Sequence, residues 1–156
     1  MAAPDLSTIG VKFGWAAETT SGTKPTSFKQ ILNCKAIGGI SLETDSIDTT
    51  PLEVDTRRYV AGLKDTGGSW ALTFGMNDDL QDSWDELYDA YTTAKNAGLN
   101  IWAVVYIPGM TNACYVTFEP GKLPLSDIAV SEALEVEISN TINEYKGWST
   151  AIEPTT

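Results

Sequence analysis

The amino-acid sequence predicts a mainly β protein with one α-helix, built as an antiparallel sandwich or barrel. Three observations carry this. Stretches such as "SWALTFGM" (69–76) alternate apolar and polar residues with a period of two. One stretch, "NDDLQDSWDELYDAYTTAKNAG" (77–98), changes to spacings of three and four. No internal repeat or linker divides the 156 residues, so a single domain spanning 1–156 is expected.

The elements follow in order. Residues 1–33 are rich in Thr, Ser, Gly and Pro and read as an N-terminal arm, anchored at Phe13, Trp15, Phe28 and Ile31. From Lys35 to Thr44 the pattern is strand-like, with Ala36, Ile40 and Leu42 apolar and Lys35, Ser41 and Glu43 polar. A long loop, 44–68, comes next. Strand 69–76 presents Trp70, Leu72, Phe74 and Met76 on one face. In the helix, Leu80, Trp84, Leu87, Tyr88, Tyr91 and Ala94 form the apolar stripe. Asn77, Asp78 and Asp79 supply its N-cap and acidic first turn; Lys95 and Gly98 suit its other end. "NIWAVVYIPG" (100–109) is apolar on both faces, as a strand covered on both sides requires. "NACYVTFEP" (112–120) is its antiparallel partner, and "GKLPLSDIAV" (121–130) is a connection. "SEALEVEISNTIN" (131–143) is the last long strand, and 144–156 form a C-terminal tail.

The 44–68 loop raises a question. Structureless loops beyond about 12–15 residues are uncommon in compact domains. This one carries Ile47, Leu52, Val54, Tyr59, Val60 and Leu63, which a solvated loop does not need. Something is expected to cover them.

A second feature is a shared polar face. Ser41 and Glu43, then Ser69, Ala71 and Thr73, then Glu135, Glu137, Ser139 and Thr141 give a surface that is small, hydroxylic and acidic. Ile37 is its one large hydrophobe and Lys35 stands at its margin. It is either an ordinary solvated sheet face or a wall that stays wet and rejects anions. An ordinary face would mix both signs of charge.

Composition excludes several chemistries. The net charge is −11 and histidine is missing, which removes the commonest general base and metal ligand. Arg57-Arg58 is the only basic pair, so no patch suits phosphate binding. Cys34 and Cys114 show no ligand spacing and read as reduced, buried thiols. Glu135 and Glu137 point the same way, about 6–7 Å apart on a strand, but a flat face gives neither a cleft nor a raised pKa. The acidic run from Asp78 to Asp89 lacks calcium-loop spacing, and Gly121-Lys122 lacks a phosphate loop before it. No cofactor or metal is expected, and the chain is read as a non-enzyme. No apolar run approaches the roughly 20 residues of a membrane helix, and the N-terminus lacks a secretory pattern; no membrane partner and no route out of the cytoplasm are expected. Trp15, Tyr145 and Trp148, in segments read as irregular, are candidates for contacts with another chain.

In order, the chain offers an arm, a strand, the long loop with Asp48-Thr49-Thr50 and "RRYVAGLKD" (57–65), a strand, and an amphipathic helix. Then come Ile107-Pro108-Gly109, "ACYVTFEPGKLPL" (113–125) and an acidic-faced strand. Over about 35–143 this order resembles the major tail protein, or tail tube protein, of long-tailed bacteriophages. The resemblance implies a sandwich-like subunit whose sheets join into rings of six. The rings stack into a hollow tube around a tape-measure protein, ending on tail-end proteins, and later pass the genome. It implies assembly in the host cytoplasm and a place in the virion tail. On this reading 44–68 is an inter-subunit arm burying Ile47, Leu52, Val54, Tyr59, Val60 and Leu63 on a neighbour, with Arg57 and Arg58 paired to acids across the contact. Ser41, Glu43, Ser69, Thr73, Glu135, Glu137, Ser139 and Thr141 line the lumen, so DNA slides without specific binding. A monomeric β-sandwich binding or virion decoration module is the alternative; it predicts exposed aromatics at one loop-rich end and no polymers.

Overall fold

The structure, a computed structural model, describes residues 7, 9–53, 55–65 and 68–155. The strands are β1 (Lys12–Ala17), β2 (Lys29–Ile31), β3 (Cys34–Ile37), β4 (Glu43–Asp48), β5 (Tyr59–Asp65), β6 (Ser69–Gly75), β7 (Ile101–Tyr106), β8 (Asn112–Glu119) and β9 (Glu135–Thr150), with one helix, α1 (Asp78–Asn96). Seven strands form one antiparallel sheet in the order β2-β1-β7-β8-β9-β6-β3; β4 and β5 form a separate two-stranded sheet. The mainly β fold with one helix is as the sequence predicts.

The large sheet folds over on itself. β1 and β6 are four places apart in it, which in a flat sheet would hold them about 19 Å apart. Yet the rings of Phe13 on β1 and Trp70 on β6 lie 5.8 Å apart, edge to face. The corner is β9. Glu135–Thr141 pair with β6, and Thr141–Thr150 pair with β8. Register shifts opposite Tyr115/Val116 and Thr117/Phe118 bend this second half. Gly147, at φ +80°, occupies the first of these irregularities, a conformation that side chains of L-residues rarely adopt.

Inside the fold, Phe13, Trp70, Phe74 and Phe118 meet edge-on, the geometry aromatic rings prefer. α1 closes this core with Leu80, Trp84, Leu87 and Ala94. Asn77 caps the helix, its side chain accepting from the Leu80 N–H at 2.8 Å. Trp84 Nε1 donates to the Gly121 carbonyl at 2.8 Å, tying the helix to the segment after β8. A second cluster on the other side of β7 joins Phe28, Trp102, Val104, Ala113 and Tyr115, covered by Ile152. That explains the two apolar faces of "IWAVVY".

Four expectations change. Within the 1–33 stretch read as an arm, the described residues include β1, which lies inside the sheet between β2 and β7. Trp15 is therefore a core residue, 7% exposed, and not a contact candidate. The 144–156 tail is not irregular to its end, because β9 runs to Thr150. Beyond it, Thr155 pairs with β2, its N–H donating to the Phe28 carbonyl at 3.1 Å and its carbonyl accepting from Gln30 N–H at 2.9 Å. The 35–44 strand divides: β3 ends at Ile37, and Glu43 already belongs to β4. The described residues of the 44–68 stretch, read as a long loop, form mostly a β-hairpin. Cys34 is half-buried and Cys114 buried, both as free thiols.

Candidate assembly surface

The hairpin is the first feature of this surface. Its register sets Glu43 opposite Asp65, Ile47 opposite Val60, and Asp48 opposite Tyr59. The connection 49–58 is closed by hydroxyl and carboxylate chemistry. Asp48 Oδ1 accepts from Thr50 N–H at 2.9 Å, a local turn of the kind Asp favours. Thr50 Oγ1 accepts from Arg58 N–H at 2.8 Å, and Thr49 N–H donates to the Arg58 carbonyl at 2.9 Å. These hydrogen bonds from Thr50 hold the Asp48 carboxyl below the ordinary carboxylate range.

Among the described residues, neither hairpin strand pairs with the large sheet. Ile47, Tyr59 and Val60 are about half exposed and Leu52 is fully exposed. An isolated two-stranded hairpin is at best marginally stable in water. Val54 and the side chain of Leu63 lie outside the described residues. Arg57 reaches Asp48 of its own hairpin at 3.7 Å, so one of the two arginines expected to pair across a contact already has a local acid. Arg58 is exposed and has no ion-pair partner among the described residues.

The polar face is the second feature. The register of β6 with β9 sets Ser69 opposite Thr141, Ala71 opposite Ser139, Thr73 opposite Glu137 and Gly75 opposite Glu135. The buried partners Trp70, Leu72, Phe74, Val136 and Ile138 fill the alternate positions. Period-two reading of each strand thus brings Ser69, Thr73, Glu135, Glu137, Ser139 and Thr141 together on one surface. It does not bring Ser41 and Glu43: Ser41 lies in the irregular link after β3, and Glu43 stands on the separate hairpin sheet. Glu119, opposite Thr141 on β8, is partly buried and lines a pocket with Tyr91 and Lys95 at the end of α1. Lys35 sits at the margin, 3.4 Å from Glu135. Glu135 and Glu137 are both exposed on this open face.

The third feature escaped the sequence reading. Residues 121–134 run without regular structure along the edge of β9 that β8 has left. Gly121 N–H donates to Asn140 Oδ1 at 2.9 Å and Glu137 N–H to Ser126 Oγ at 3.1 Å; at the segment's end, Met76 N–H donates to the Leu134 carbonyl at 2.9 Å, continuing the β6–β9 pairing. This segment blunts an open strand edge. It also carries Leu125, Ile128, Val130 and Leu134 at 75, 70, 93 and 46% exposure. Of the terminal aromatics, Trp148 is about half exposed, while Tyr145 is partly buried against the main core.

No family model matches the sequence, and no curated protein matches it. Solved structures do. A chain of the anti-feeding prophage baseplate, a 6-fold symmetrised structure, superposes with a TM-score of 0.62 at 13% identity, covering 97% of this chain and 98% of that one. A chain from the tail of empty GTA particles, obtained by helical refinement with C6 symmetry, gives 0.58 at 16% identity over 94% and 99%. A chain from the native gene transfer agent virion gives 0.56 at 14% identity over 94% and 99%. The fold implied by the tail-protein resemblance is therefore the fold observed: it is shared, nearly end to end, with chains of tail and baseplate assemblies.

Proposed function

We propose that this chain is a structural subunit of a tail tube, assembling into rings of six that stack into a hollow conduit in the virion tail. The observation that carries this is the hairpin: a separate sheet, tethered to a well-packed body, with four large side chains about half exposed or more. Burying a side chain of this size contributes about 1.5–3 kcal/mol, against the cost of association. The neighbours in fold come from structures with 6-fold or C6 symmetry, which supports the ring.

In this reading the hairpin packs on another subunit, with Ile47, Leu52, Val54, Tyr59, Val60 and Leu63 in the contact. The face of Ser69, Thr73, Glu135, Glu137, Ser139 and Thr141 lines the lumen. Like charge keeps phosphates from adhering, so genomic DNA passes without a binding site. The same charge opposes assembly, so apolar contacts and joined strands hold the ring. The tube forms around a tape-measure protein in the host cytoplasm and ends on tail-end proteins. The chain performs no catalysis.

Sedimentation velocity across a hundredfold range of concentration tests this. A species six times the 16.8 kDa chain mass, or larger multiples of it, is expected. A single species of the chain mass at every concentration would overturn the reading in favour of a monomeric module.

A further inference from the structure

The hairpin and the 126–134 segment are attached toward opposite ends of one strand. β5 ends at Asp65 and β6 begins at Ser69, so the hairpin is tethered at the Ser69 end. The 126–134 segment is fixed farther along, Ser126 at Glu137 and the Leu134 carbonyl at Met76, just beyond Gly75. The two ends of β6 are about 20 Å apart. The apolar side chains of both remain exposed in the subunit, so the two surfaces do not cover each other within it. They can do so between copies, head to tail, and that type of contact closes rings or builds open stacks.

Their charges also match. The 126–134 segment carries Asp127 and Glu132 and no cation. Neither acid has an ion-pair partner among the described residues. The hairpin presents Arg58, likewise without one. The chain holds 10 basic against 21 acidic residues, so an exposed arginine beside an apolar patch is scarce on this surface.

We propose that the 126–134 segment is the receptor for the β4–β5 hairpin of a second copy of this chain. Ile128 and Val130 take the Ile47, Leu52 and Val60 side, and Asp127 and Glu132 meet Arg58. This rests on the self-assembly reading above and names the partner surface that reading leaves open.

The test uses the purified full-length chain, with circular dichroism for folding and sedimentation and electron microscopy for assembly. Ile128→Asp with Val130→Asp is expected to leave a folded monomer that needs at least about tenfold more protein to assemble. Arg58→Glu alone and Asp127→Lys with Glu132→Lys alone are each expected to impair assembly, and the three substitutions together to restore it, because the charge pair is exchanged. If wild-type chain assembles and the Ile128/Val130 variant matches it, or the triple variant is no better than its parents, the hairpin docks elsewhere and only this inference falls. If wild-type chain never assembles, the inference and the tail-tube reading fall together.

Discussion

Ile47 and Val60 face one another across the β4–β5 hairpin, 53% and 49% exposed, on a two-stranded sheet that pairs with no other strand among the described residues. Cross-strand pairs of β-branched residues contribute roughly 0.2–1 kcal/mol to a sheet. That is little return for leaving two large apolar side chains half in water. The arrangement is economical only if a further surface covers the pair.

Replacing Ile47 and Leu52 together by Asp is therefore expected to separate folding from assembly. The hairpin lies outside the core, so the loss of monomer stability should stay near 1 kcal/mol. Denaturant unfolding and sedimentation read the two effects. Long tubes from the double variant would show that the hairpin is not the contact.

Two glycines make an internal comparison. A Cβ on Gly121 would lie 2.2 Å from the Ser139 carbonyl oxygen, a backbone atom that cannot yield cheaply. Gly121→Ala is expected to cost about 1–3 kcal/mol and to shift the start of the 121–134 segment. A Cβ on Gly39 meets nothing within 4 Å. Gly39→Ala is expected to be neutral or to stabilise by about 0.4–1 kcal/mol through the unfolded chain. Chemical denaturation of both variants checks the contrast, and equal effects would contradict the placement of the segment against β9.

The thiols give a pH dependence. Burial pushes the Cys34 thiol up to about 11 from 9.0, and raises Cys114 as well. Because the folded-state value lies above the unfolded one, the associated stability is complete below about pH 9. It is lost as pH rises from there through about 11. Native Cys34 should also react with a thiolate-selective reagent at pH 8 on the order of 100-fold more slowly than an unburied cysteine. Stability curves from pH 7 to 11 and alkylation rates measure this; a native rate equal to the unfolded rate would contradict the burial.

The acidic face predicts a gain of function. Glu135→Lys with Glu137→Lys places two charges of reversed sign per subunit on the proposed lumen wall. Tubes of this variant should form as before but retain DNA at low salt, with retention falling steeply as salt rises. In virions, ejection should be hindered. Normal ejection would argue against a lumen position for these two residues.

How much of this was readable beforehand follows from local physics. The α1 helix was legible because Asn77, the 80/84/87/94 stripe and Gly98 all agree. The β6 and β9 faces were legible because strict alternation survives from 135 to 142. β1 was hidden although Phe13 and Trp15 alternate with Gly14 and Ala16, because the surrounding Thr, Ser, Gly and Pro read as a loop. Gly14 is required there by the C-terminal segment: a Cβ would lie 2.6 Å from Pro154, a contact no local pattern reveals. The hairpin was hidden because β4 carries a single apolar residue, Ile47, in "ETDSID". The end of β9 was hidden because the irregularity at Gly147 breaks its alternation. The 121–134 surface was missed because a connection was judged by its lack of periodicity and not by what its side chains leave in water.

The most direct test of the tube assignment is negative-stain electron microscopy of the purified chain at low and high concentration. Rings with six subunits, or hollow tubes of stacked rings, are the predicted result. Monodisperse single subunits at every concentration would contradict it.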